Sequence, residues 1–190
     1  MTTKEFENNY WYMSELKALA KSFEIPFDSK IRKDQLEKMI IQFLETGTVS
    51  KKQVVRSKSP NIDILNNNSC VENFRNSKET WAFIHHEMDS RVPGLKPKSG
   101  AKYWLNRWIE NKLSSGEKLT YGDVICEYIR LNKTEEKLPQ IPSCKFNNFI
   151  SDYLANEKNG TREEALKAWN ELKDTKIKKD YITWKKNKNT

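Results

Sequence analysis

Cations are the side chains of this sequence best suited to do chemistry. Its 190 residues hold 34 Lys+Arg against 26 Asp+Glu, a formal net charge of +8. A surplus of that size points to an acidic partner, most often nucleic acid. Lys30, Arg32 and Lys33 stand together, and a second run, Lys176, Lys178, Lys179, Lys185, Lys186 and Lys188, fills the C-terminal tail. Lysine meets phosphate as a point charge and arginine as a two-pronged fork. Other chemistry finds little footing. His85 and His86 are adjacent, so on a helix they point ~100° apart and cannot chelate one ion as an i, i+4 pair does. Cys70, Cys126 and Cys144 form no Cys-x-x-Cys pair and are expected to pack as small hydrophobes. Glu135-Glu136 falls in a loop and Glu163-Glu164 at a helix start, neither disposed as a general acid and base. No phosphate-cradling glycine loop and no nucleophile elbow occurs. The expectation is binding without catalysis, with no metal and no cofactor.

The surplus is unevenly spread. Residues 1–47 carry seven Lys/Arg and eight Asp/Glu, residues 48–80 carry six and three, residues 81–160 twelve and ten, and residues 161–190 nine and five. The N-terminal block is therefore nearly neutral, and the excess lies in a polar middle segment and the tail. Mean hydropathy is −0.87, and no apolar run approaches the ~20 residues of a membrane span. The N-terminus lacks a basic stretch followed by an apolar one, so no secretory signal is expected. An odd cysteine count without a disulfide pattern fits a reducing, cytoplasmic setting.

The elements that must position these groups are read from apolar spacing. Leu16, Leu19, Ala20 and Phe23 recur at i, i+3, i+4, i+7, a helix stripe following Ser14 as its expected cap. Pro26 interrupts the pattern. A second helix from about Arg32 carries Leu36, Met39, Ile40, Phe43 and Leu44 and stops at Gly47. Trp11 and Tyr12 are candidates to lid this pair. Residues 48–77, rich in Ser, Lys and Asn, read as a flexible basic linker, with Val54-Val55 and Ile62/Ile64 as its apolar points.

Residues 78–174 read as one domain of about five helices. Their stripes are Trp81, Ile84 and Met88; then Ala101, Trp104, Leu105, Trp108 and Ile109; then Val124, Ile125, Tyr128 and Ile129 behind Thr120. Phe146, Phe149, Ile150, Tyr153 and Leu154 follow Ser143, and Ala165, Ala168, Trp169 and Leu172 follow the capping box Thr161–Glu164. Six Trp, seven Tyr and eight Phe provide core area despite the low hydropathy. The expected fold class is all-α. Lys96, Lys98, Lys102 and Arg107 surround Trp104 and Trp108, a pattern that serves base stacking, although the i, i+4 spacing of the tryptophans reads first as core. Helices over 120–131 and 143–156 form a candidate helix-turn-helix with Lys145, Asn147, Asn148 and Ser151 as reading residues, but the loop bearing Pro139 and Pro142 is long for that motif. In the tail over 175–190, Tyr181 and Trp184 either dock on the core or stay solvated with the lysines.

Within residues 1–47, Ser14-Glu15-Leu16-Lys17-Ala18-Leu19-Ala20, the loop ending Phe27-Asp28-Ser29-Lys30, and Arg32-Lys33-Asp34-Gln35-Leu36 leading to Ile40 and Leu44 resemble a SAP domain. That family is a helix–extended loop–helix unit that binds DNA in chromatin, repair and RNA-processing proteins. Phe27 to Gly47 looks most like bacterial SAP-type proteins with a helical domain of unknown function behind the SAP unit, and the stretch Trp169 to Lys176 is similar to the end of that domain. Ile31 stands where such units usually carry glycine. The resemblance implies DNA binding through the basic pair Arg32-Lys33, and helix-start amides with Lys30 beside them form a natural seat for phosphate. Lys17 and Lys21, i and i+4 on the first helix, would reach the adjacent strand.

The expected function is a non-catalytic, phosphate-gripping DNA-binding protein of the bacterial cytoplasm, nucleoid-associated by implication. Its contacts are Lys17, Lys21, Lys30, Arg32 and Lys33, with Lys178, Lys179, Lys185 and Lys186 as auxiliaries. The rival expectation is a protein-interaction adaptor, in which the two-helix unit docks a protein as LEM-like units do.

Overall fold

The computed structural model describes residues 1–49 and 62–188 of the chain, all-helical apart from turns and one isolated antiparallel bridge between Cys70 and Thr120. Lys51, Lys52, Arg56 and Lys58, the charges of the expected linker, and Val54-Val55 lie outside the described residues. The helices are α1 (Thr3–Asn8), α2 (Met13–Ser22), α3 (Lys33–Thr46), α4 (Lys78–Arg91), α5 (Ala101–Ser114), α6 (Tyr121–Lys133), α7 (Lys145–Asn156), α8 (Arg162–Lys173) and α9 (Tyr181–Lys188). None of them is long and apolar enough to cross a membrane. They divide into two units. One joins the N-terminal helices α1–α3 to α7–α9, and the other holds α4–α6.

In the first unit, Leu16 and Ala20 of α2 pack with Leu36 and Ile40 of α3, all fully buried, and the Phe23 and Phe43 rings stack at 4.9 Å. The turn leaving α2 is a Schellman closure: Ile25 N–H donates to Ala20 C=O at 2.9 Å and Glu24 N–H to Lys21 C=O at 3.0 Å. That closure requires a left-handed residue, and it falls on Glu24 (φ 55°). Ile31 keeps a negative φ, so this turn places no demand for glycine there. The α3 helix ends as expected on left-handed Gly47, whose N–H donates to Phe43 C=O at 2.8 Å. The start of α2 differs from expectation. The helix begins after Tyr12, not Ser14, because the Glu15 carboxylate accepts from Tyr12 N–H at 2.7 Å.

The α7–α9 half is built around rings. Phe149, Tyr153, Trp169, Tyr181 and Trp184 are buried together. Thr161 and Glu164 cap α8 reciprocally, as the capping box predicts. Ser143 does not cap α7, whose first turn starts after Cys144 without a side-chain cap. Tyr10, between α1 and α2, meets the Trp169 ring edge-on at 5.0 Å and so joins the two halves of this unit. Trp11 stacks on Phe6 at 5.4 Å and lids the α2–α3 pair, whereas Tyr12 is exposed.

The second unit corrects two boundaries. Residues 62–77, expected as linker, pack against α4–α6: Val71 is buried, and Leu65 and Phe74 cover the same core. Their polar composition serves the backbone. Asp63 accepts from Asn73 N–H and from Tyr121 O–H, and Asn67 C=O accepts from Gly122 N–H at 2.8 Å. Equally, the single domain expected over 78–174 is divided, with α6 in one unit and α7 in the other. The candidate helix-turn-helix is therefore not formed from one unit. Trp104 and Trp108 pack on the α4–α6 core, and Trp104 Nε1–H donates to Pro139 C=O at 2.8 Å. The cysteines do not pack as core hydrophobes, since Cys70 and Cys126 are exposed and Cys144 is half-buried. Polar turn residues around Cys70 and the outer face of α6 leave the first two at the surface.

Candidate nucleic-acid interface

The start of α3 is built by the turn before it. Asp28 Oδ1 accepts from Lys30 N–H at 2.7 Å, and Ile31 N–H donates to Asp28 C=O at 3.0 Å. From the neighbouring helix, Lys17 Nζ donates to Ser29 C=O at 2.9 Å. That bond carries a cation of α2 to the residue next to Lys30. Lys21, one turn beyond Lys17, is exposed. Arg32 caps α3 from its backbone and pairs with Asp34 at 3.6 Å, and Asp34 in the first turn complements the helix dipole. Lys17 of α2 is thus brought beside the Ser29–Lys30 turn that leads into Arg32 and α3.

Lys33 faces differently. Its ammonium lies 4.7 Å above the Tyr10 ring and 3.9 Å from Glu37 Oε1. Beyond it stands Lys145, at the first turn of α7, whose Nζ donates to Glu7 C=O at 2.7 Å and Asn9 C=O at 3.0 Å. Burial pushes the Lys145 ammonium below the ordinary lysine range, opposed by Glu37 and reinforced by Lys33 and Lys178. The start of α3 and the tail segment before α9 thus act electrostatically on one shared ammonium.

The tail resolves into distinct roles. Tyr181 and Trp184 dock on the core, so the tail packs as the helix α9. Lys178 is 72 % exposed and pairs with Asp180 at 2.8 Å. Lys185 bonds Glu157 at 2.5 Å, and Lys186 is exposed. Lys179, expected among the phosphate contacts, is buried instead. Its Nζ donates to Thr175 C=O at 2.7 Å and Ile177 C=O at 2.6 Å, and burial lowers its pKa. It closes the turn into α9 and presents nothing to solvent.

Comparison with known protein families, curated proteins and solved structures finds no match to this chain. Exposed lysines beside a helix start attract a polyanion. Glu37, one turn along α3 from Lys33, carries no sequence signal as a site residue, and Lys145, a candidate base-reading residue by sequence, instead bonds the Glu7 and Asn9 carbonyls. The i, i+4 relation of Lys33 and Glu37 was legible in the sequence, but the approach of α7 was not.

Proposed function

We propose that this protein binds DNA through its phosphate backbone and does so without catalysis. Lys17, Lys21, Lys30 and Arg32 make the primary contacts, Lys33 supports them, and Lys178, Lys185 and Lys186 add sequence-independent affinity. The observation that supports this reading is the Lys17–Ser29 bond, which brings an α2 ammonium beside the turn that carries Lys30 into the start of α3. The likeness of residues 1–47 to SAP units supports the same partner. The net charge of those residues is slightly negative, so affinity from this module alone is modest and the tail lysines matter.

The test is a titration of the full chain against a labelled duplex at low and moderate salt, with the double variant Arg32→Glu/Lys33→Glu beside it. Binding at low salt that weakens at least tenfold on charge reversal supports the proposal. Absence of binding at low salt, or affinity untouched by the reversal, removes it and leaves the adaptor reading.

A further inference from the structure

Glu37 is a carboxylate of this face on which two lysines, Lys33 and Lys145, act. It lies i+4 from Lys33 on α3, with its side chain 17 % exposed and that of Lys33 24 % exposed. Lys33 approaches it from its own helix, Lys145 faces it from α7, and the Tyr10 ring borders it from the segment between α1 and α2. Around Lys145 stand the Glu7 and Asn9 carbonyls, with Lys178 and the Glu7 carboxylate acting from further out. The cluster holds two ammonium groups and one carboxylate, so an anion that engages Lys33 places a second negative charge beside the half-buried Glu37.

We infer that Glu37 is a proton-operated counter-ion, so that engagement of Lys33 by a DNA phosphate is accompanied by uptake of a proton at Glu37. The inference rests on the DNA reading above. Phosphate and carboxylate compete for the same Lys33 ammonium. A phosphate placed there adds a like charge within a few ångströms of a carboxylate already short of water, which disfavours its ionised form. Burial works in the same direction before any ligand arrives: it raises the Glu37 pKa, and Lys33 and Lys145 offset that only in part. Protonation neutralises the competitor and frees Lys33 for the phosphate. The Tyr10 ring face, 4.7 Å from the ammonium, keeps Lys33 beside this cluster.

Linkage fixes the sign. If the bound state takes up a fraction of a proton at Glu37, affinity rises as pH falls, by up to about tenfold per pH unit for one whole proton. The experiment measures duplex affinity of the full chain by anisotropy at pH 7.5 and 5.5 at constant salt, for the wild type and Glu37→Gln. The amide cannot titrate, and every other group remains. The expected result is that the wild type tightens about three- to tenfold more than Glu37→Gln on acidification, with the variant binding at pH 7.5 at least as tightly as the wild type. Calorimetry of the wild type in two buffers of different ionisation enthalpy reads the proton directly and needs no variant to fold. Equal pH dependence in the two proteins, or no proton uptake by the wild type, overturns the inference and leaves the DNA reading standing. No binding by either protein at low salt removes both.

Discussion

Replacing Trp184 by alanine tests whether the basic tail is part of the fold. Trp184 is 6 % exposed. Its ring lies 5.3 Å from Tyr153, 5.8 Å from Phe149 and 5.9 Å from Tyr181. A tryptophan buries roughly 200 Å², which at about 25 cal/mol per Å² sets an upper bound near 5 kcal/mol. Core Trp→Ala changes cost about 3–5 kcal/mol, and alanine recovers about half a kcal/mol of helix propensity. The expected loss is therefore about 3–4 kcal/mol. Ile182, two residues earlier on α9 and 65 % exposed, is the control. Ile182→Ala should change stability by less than about 0.5 kcal/mol. Hydrogen exchange under increasing urea, read peptide by peptide, separates the two units. Amides of α7 and α8 should lose protection in Trp184→Ala while those of α4–α6 keep theirs. A loss below about 1 kcal/mol, or one no larger than that of Ile182→Ala, would refute the docking of α9.

Further outcomes follow from individual contacts. Glu24→Gly should raise stability by about 0.5–1 kcal/mol in urea denaturation, because the left-handed closure of α2 strains a residue with a Cβ. Lys179→Met keeps the stem but leaves the Thr175 and Ile177 carbonyls unbonded; it should cost about 1–2 kcal/mol and leave the salt dependence of DNA affinity unchanged. Glu157 accepts from Lys185 and from Tyr181 O–H at 2.6 Å, and these bonds hold its carboxyl below the ordinary 4.5. Its contribution is thus present above pH 4.5 and lost as pH falls through the depressed value. An acid titration of stability should show the wild-type advantage over Glu157→Gln narrowing below pH 4.5. The same bond pushes the Tyr181 phenol up to about 12, first through the Glu157 contact and then through burial, so ultraviolet titration should find a late-ionising tyrosine that Glu157→Gln shifts to lower pH.

The stripes of α2, α3, α5, α6 and α8 were legible because each helix buries one face at 3.6-residue spacing, and Thr120 and Thr161 marked two starts correctly. The α1 helix was hidden because its six residues bury only Phe6, too little for a period. The α9 helix was masked by its lysines, although Tyr181 and Trp184 stand three apart, as a buried face requires. Residues 62–77 misled for a physical reason. Asn, Asp and Ser that tie backbone turns have the same composition as those that solvate a linker. The grouping of α7–α9 with the N-terminal helices depends on Tyr10 against Trp169 and on Lys145 against the Glu7 and Asn9 carbonyls, contacts more than a hundred residues apart with no local signature. In the candidate site, Lys30, Arg32 and Lys33 are neighbours in sequence, but the packing of Lys33 on the Tyr10 ring is a tertiary contact with no local signal. Lys179 could not be told from Lys178, because burial of one and exposure of the other follow from the turn geometry ahead of α9.

The most direct test of the central claim is the salt slope of duplex affinity for the intact chain. Each phosphate neutralised adds about 0.9 to the slope of log K against log salt. Contacts by Lys17, Lys21, Lys30 and Arg32, with one or two tail lysines, predict a slope of about −4.5 to −5.5 that becomes shallower by about 1 in Lys30→Ala and is unchanged in Lys179→Met. A slope near zero, or one that Lys179→Met flattens while Lys30→Ala does not, contradicts the account.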